Sequence, residues 1–219
     1  MFEPVMMKFL GIGIGETLYM TLLSTFLAYV IGLPLGIVMV VTDKSGIRPR
    51  LLLNKVLDVI INILRSVPFL ILMIVLIPFT RAIAGTTIGP KAAVVSLVVA
   101  AAPFIARLVE SSIKEVDYGV IEAAQSMGAS PLDIVCKVLL PEAKPSLIVG
   151  SAIAVTTILS YSAMAGIIGG GGLGAIAINY GYYRYEVGIM LVTVALLVVI
   201  VQIFQETGMR LAKKFDKRF

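Results

Sequence analysis

The chain has 219 residues, 59% of them apolar and 14% charged, with a net charge of +5. Soluble domains run roughly 45–50% apolar and about 25% charged. A water-soluble globule of this size has too little interior to hide so much apolar surface, which excludes a soluble enzyme, a disordered chain and a disulfide scaffold.

A bilayer span needs about 20 mostly apolar residues. The first candidate covers about residues 17–41 and holds no charge. It is longer than the roughly 7–15-residue core of a signal peptide, so it reads as a retained span behind an external N-terminal segment, 1–16. The second covers about 58–79 and carries Arg65. The third, about 92–109, is short and contains Pro103. The fourth covers about 147–168 and the fifth about 187–204, followed by a basic tail, 206–219. The expected fold class is an all-α polytopic membrane protein with five transmembrane helices. Alternating segments of the kind that build a β-barrel are not seen.

Lys and Arg set the orientation. Lys44, Arg48, Arg50 and Lys55 lie between spans one and two; Arg107, Lys114, Lys137 and Lys144 lie around the third connection; Arg210, Lys213, Lys214, Lys217 and Arg218 lie in the tail. The opposite side holds only Lys8, Arg81, Lys91 and Arg184. This predicts an external N-terminus and a cytoplasmic C-terminus. The same pattern, with no basic stripe interleaved with aromatics, excludes a nucleic-acid partner.

Residues 110–146 are too long for a structureless loop. Asp117 is placed to cap a helix through Ile121, Ala124 and Gln125, and Gly128 to end it in the left-handed conformation. Ser130, Pro131 and Asp133 form the start of a second helix, S-P-x-D. Leu132, Val135, Cys136 and Leu139 are its expected apolar face, and Pro141 its stop. The segment 117–141 thus reads as a helix–turn–helix projection. One reading rests it on lipid headgroups. The other makes it a docking surface, because Ala123, Ala124 and Gly128 let a partner approach the backbone closely.

Glu122-Ala123-Ala124, then Gly128, then Val138 and Leu140-Pro141 resemble the EAA motif of type I ABC importer permeases. The one departure is Val138, where the pattern has Ile. The resemblance implies that these residues form a coupling helix seated in a separate ATPase subunit, which would bind ATP and Mg²⁺ while this chain binds no cofactor. Further stretches are similar to the methionine-importer permeases: Asn62-Ile63-Leu64-Arg65-Ser66-Val67-Pro68-Phe69, Ala102-Pro103-Phe104-Ile105-Ala106-Arg107 and Tyr161-Ser162-Ala163-Met164-Ala165-Gly166. That family implies a homodimer in the inner membrane, two ATPase subunits, an external substrate-binding protein and an amino-acid substrate.

Within the spans, Arg65 either snorkels toward the cytoplasmic interface, with Asp58 two turns away, or lines the pathway near an inner gate. Ser160, Tyr161 and Met164 lie in the polar half of span four. They either pack helices or face the dimer axis as an outer gate. Gly32 and Gly36 make G-x-x-x-G, a signal for close helix packing. The glycine run 166–174 follows no strand and lacks a P-loop lysine, so it reads as a tight turn rather than a phosphate loop. Cys136 is the only cysteine and there is no His, which leaves no disulfide and no common zinc ligand. No ATP-binding motif and no acid–base relay in a span centre is present, so the chain does not power transport itself. A passive channel or a scaffold with a docking projection is the rival reading.

Overall fold

A computed structural model describes residues 4–215. It is helical throughout, and no strand occurs among the described residues. In chain order the helices are α1 (Pro4–Thr42), α2 (Leu51–Ser66), α3 (Phe69–Val75), α4 (Ile77–Ala84), α5 (Pro90–Lys114), α6 (Tyr118–Ser126), α7 (Pro131–Ile134), α8 (Leu140–Glu142), α9 (Lys144–Ala165), α10 (Gly172–Ile176) and α11 (Val187–Phe215). Met6–Thr42, Pro90–Lys114, Lys144–Ile168 and Val187–Phe215 are each long and apolar enough to cross a bilayer. These contain the expected spans one, three, four and five. The first starts well before residue 17, and the last runs on through the expected tail to Phe215. Residues 1–3 and 216–219, including Lys217 and Arg218, lie outside the described residues.

The second expected span is not one straight helix. Helices α2 and α3 meet at a bend of 101°, a broken span or a re-entrant segment. Pro68 explains the break. It has no N–H to donate, it sits extended at ψ 136°, and it disfavours helical geometry in Val67 before it. Pro78 then opens α4 near its first position, where a missing N–H costs nothing. Pro34 and Pro103 instead lie inside α1 and α5 without ending them.

The chain forms two compact units, and α1, α5, α9 and α11 contribute residues to both. The first unit comprises residues 1–28, 67–101 and 155–205. Its core includes Leu10, Leu173, Ile176 and Ile189. The glycine run after α9 folds there into a short 3₁₀ turn, a loop and α10. Gly169, Gly171 and Gly172 adopt φ of +83°, +84° and +75°, a region that side chains with a Cβ avoid. The expected tight turn is therefore present.

The second unit comprises residues 29–66, 102–154 and 206–219. Met39, Ile61 and Ala106 form a buried cluster there. Lipid tails are as apolar as Leu, so helices in a bilayer associate mainly by close van der Waals contact. G-x-x-x-G supplies that contact. A Cβ on Gly32 would lie 2.7 Å from the Ala102 carbonyl oxygen, and one on Gly36 would lie 2.6 Å from that of Ala106. Four residues apart, the two glycines share one face of α1 and let the α5 backbone in.

Candidate functional site

The projection at 117–141 is built by local chemistry. Asp117 caps α6, its carboxylate accepting the Gly119 N–H at 2.7 Å. Gly128, at φ +77°, ends it. The Gly128 N–H donates to Gln125 O (2.9 Å) and the Ala129 N–H to Ala124 O (3.1 Å), a Schellman pair that satisfies the last carbonyls. Ser130 caps α7 by accepting the Asp133 N–H at 3.2 Å, with Pro131 in the first turn. Its hydroxyl also donates to the Asp133 carboxylate, which pairs with Lys137 at 2.6 Å. Hydrogen bonds from Lys137 and then Ser130 hold that carboxyl below the usual range.

Two expectations for the second arm need correction. Pro141 does not stop it. Val135–Leu139 forms a π-helical turn, and Pro141 falls near the start of α8, where a missing N–H leaves no gap. The Ala143 N–H then bonds to Leu139 O and the Leu147 N–H to Ala143 O, both at 2.9 Å, so the hydrogen-bond ladder reaches α9. The apolar face also differs. Ile134, Val135 and Leu139 are buried, whereas Leu132 is 77% exposed and Cys136 is exposed. The π turn breaks the 3.6-residue period on which the expected face rests.

The motif residues separate into distinct environments. Glu122 and Ala123 are exposed on α6, and Ala124 is buried. A Cβ on Gly128 would meet nothing within 4 Å, so the turn, not crowding within the chain, requires glycine there. Val138 and Leu140 are half-buried and Pro141 is exposed. Met127 is 81% exposed at the hairpin tip, and Tyr118 and Val120 face outward in the first turn of α6. The result is an apolar, small-residue surface with an acidic edge at Glu122.

Close to this hairpin in sequence, α5 carries charges whose partners the sequence reading did not find. Arg107 pairs with both Asp58 and Glu110. It also donates to the Asn62 side-chain oxygen at 2.9 Å. Lys114 pairs with Glu110 at 2.8 Å and with Asp43 at 2.9 Å. The network joins α2, α5 and the segment after α1. Hydrogen bonding from Lys114 holds the Asp43 carboxyl low, against a smaller upward push from burial. The spacing 107, 110, 114 places these groups on one helical face, a signal available in the sequence. Asp58, two turns before Arg65 on α2, pairs with Arg107 and not with Arg65. Arg65 is exposed in the last turn of α2, just before the Pro68 break, and has no partner among the described residues.

The span-four residues occupy one turn of α9. Ser160 is exposed and donates to Thr156 O at 3.1 Å. The Tyr161 ring stacks on Phe69, with centroids 4.8 Å apart and planes 4° from parallel. Met164 is 45% exposed. The glycine loop is tied to α1: Glu16 accepts the Gly172 N–H at 2.7 Å, and the Thr17 hydroxyl accepts the Leu173 N–H at 2.9 Å. No group of three or more His, Cys, Asp or Glu side chains among the described residues is placed to hold a metal ion.

The family described as "Binding-protein-dependent transport system inner membrane component" matches residues 32–207. The chain belongs to that family. A Vibrio cholerae protein named "Probable D-methionine transport system permease protein MetI" is 51% identical over 203 residues, covering 93% of this chain and 90% of the relative. The Pasteurella multocida protein of the same name is 46% identical over 215 residues, covering 98% and 99%. A solved structure described as "Inward facing conformations of the MetNI methionine ABC transporter" is 46% identical, covers 99% of this chain and 100% of its own, and superposes with a TM-score of 0.97. A structure of "an amino acid ABC transporter with histidines", 22% identical with a TM-score of 0.73, shares the fold. The permease family thus accounts for both the apolar helices and the EAA resemblance, and its inner-membrane setting is this chain's setting.

Proposed function

We propose that this chain is one of two identical permease subunits of an ATP-driven importer and that the solute it passes is methionine. The end-to-end likeness to a chain of a solved methionine ABC transporter carries this reading, and relatives named for D-methionine transport support it. The N-terminus faces outward and the C-terminus the cytoplasm, in keeping with the Lys and Arg distribution. Residues 17–205 form the membrane domain, with 1–16 outside and 206–219 on the cytoplasmic side. Glu122, Ala123, Ala124, Gly128, Val138, Leu140 and Pro141 make up the coupling hairpin. Its exposed Glu122, Ala123, Met127 and Leu132 meet the ATPase, while Ala124 and Gly128 set its shape. ATP and Mg²⁺ bind on that partner, and an external binding protein delivers the solute. Ser160, Tyr161 and Met164 line the pathway near the outer gate, and Arg65 lies toward the inner one.

Proteoliposomes that contain this chain, its ATPase and its binding protein test the proposal. Labelled methionine should accumulate only with ATP and be competed by unlabelled methionine. Accumulation of a different amino acid, with methionine neither carried nor competing, would overturn the substrate. Uptake that needs no ATP would overturn the importer itself.

A further inference from the structure

We infer that a pocket of about 320 Å³ in the second unit is a binding site for a small zwitterion, a primary ammonium held beside a phosphate or carboxylate. The pocket lies among the end of α5, the start of α9 and the end of α11. Its volume falls at the lower end of the range for small-molecule sites, about 300–1,000 Å³. Val149, Met209 and Ala212 give it an apolar floor. Ser112 and Ser146 also line it, their hydroxyls bonded to each other at 3.1 Å.

Three charged side chains line the same pocket: Glu115, Glu142 and Lys213. None of them makes an ion pair with any described residue. Two carboxylates and one ammonium, all three exposed, border this one pocket without an ion pair among the described residues. This contrasts with Asp43, Asp58, Arg107, Glu110 and Lys114 in the same unit, all of which are paired.

The charge pattern selects the ligand. A free phosphate would meet two carboxylates for one lysine. A divalent cation would be repelled by Lys213 and would find only two carboxylates, below the ligand number such ions take. A quaternary ammonium is recognised by an aromatic cage, and no aromatic residue lines this pocket. A primary ammonium has N–H groups to donate to Glu115 and Glu142. An anion carried on the same molecule then meets Lys213. Phosphatidylethanolamine and free amino acids both present this chemistry. The apolar floor suits either the glycerol end of the lipid or a side chain.

The test uses the purified full-length chain. Its first arm places the chain in nanodiscs of mixed phosphatidylethanolamine, phosphatidylcholine and phosphatidylglycerol, then weighs the retained lipid by native mass spectrometry. Its second arm titrates O-phosphoethanolamine, its choline counterpart phosphocholine, and then leucine into chain held in nanodiscs of phosphatidylcholine alone. In at least one arm, the primary-ammonium ligand should be preferred over its choline counterpart at least ten-fold. The Glu115→Gln/Glu142→Gln double variant and, separately, Lys213→Met should each remove that preference. Retention in the first arm assigns the lipid, and binding in the second assigns a soluble zwitterion. The wild-type comparison of ethanolamine with choline needs no variant, so poor folding of a variant cannot rescue the proposal. Equal retention of both headgroups with no binding of either soluble primary-ammonium probe overturns it, as does binding that folded variants leave unchanged.

Discussion

The Glu16 carboxylate accepts the backbone N–H of Gly172 across 2.7 Å, joining points 156 residues apart in sequence. With Thr17 on the Leu173 N–H, it caps α10 from another helix, since α10 has no side-chain cap of its own. Glu16→Ala should therefore leave a part-buried donor unpaired and destabilise the chain by about 1–3 kcal/mol. Glu16→Gln, which keeps an acceptor oxygen, should cost less. Thermal unfolding in detergent measures the difference, and equal melting of the two variants would count against the capping role.

Gly32→Ala and Gly36→Ala each drive a methyl group against an α5 carbonyl oxygen. Each should destabilise by about 1–3 kcal/mol. Once one methyl has pushed α5 away, the second adds less, so the double variant should lose less than the sum. Strict additivity would mean that the two contacts yield independently.

At Gly128 a new methyl group meets open space, so the cost of Gly128→Ala is conformational, about 1–2 kcal/mol for the left-handed geometry. Asn tolerates that geometry better, and Gly128→Asn should fall between the two. Both substitutions should reduce the ATPase that co-purifies, in the same order. Glu122→Lys sits on an exposed position and should leave stability within about 0.5 kcal/mol while releasing the ATPase. Retention of stoichiometric ATPase by Glu122→Lys would place the contact elsewhere.

The Asp43 carboxyl is held low by the hydrogen bond from Lys114. A carboxylate depressed in the folded state stabilises above its unfolded pKa, about 3.9, and that stability is lost as pH falls through the lower folded value. Asp43→Asn should lower stability near neutral pH by about 0.2–1 kcal/mol, the range for partly exposed pairs. It should also flatten the decline seen below about pH 4. Melting temperature followed from pH 7 to pH 3 reads both effects; an unchanged acid limb would remove Asp43 from the account.

Much of the hairpin was legible because its determinants are local. Asp117, Gly128, Ser130 and Pro131 act on neighbours within a few residues, and each takes the expected position. Gly32 and Gly36 were readable for a similar reason, since four-residue spacing defines a face before any partner is known. The second arm was harder. A π turn ends at Leu139, two residues before Pro141, and hydrophobic periodicity carries no sign of that extra residue per turn. The α2–α3 break was legible in Pro68, although the apolar run around it masked the signal. The pairing of Asp58 with Arg107, 49 residues away, and of Glu16 with Gly172 depends on tertiary placement. Composition and spacing do not specify either.

The backbone hydrogen bonds that resume past Pro141 have a mechanical consequence. Two prolines within five residues suggest a flexible joint, yet Ala143 and Leu147 keep their amide bonds on either side. A displacement imposed at Ser130 should therefore reach Ser146 through hydrogen-bonded turns, with bending concentrated at Ala143, where ψ is −5°.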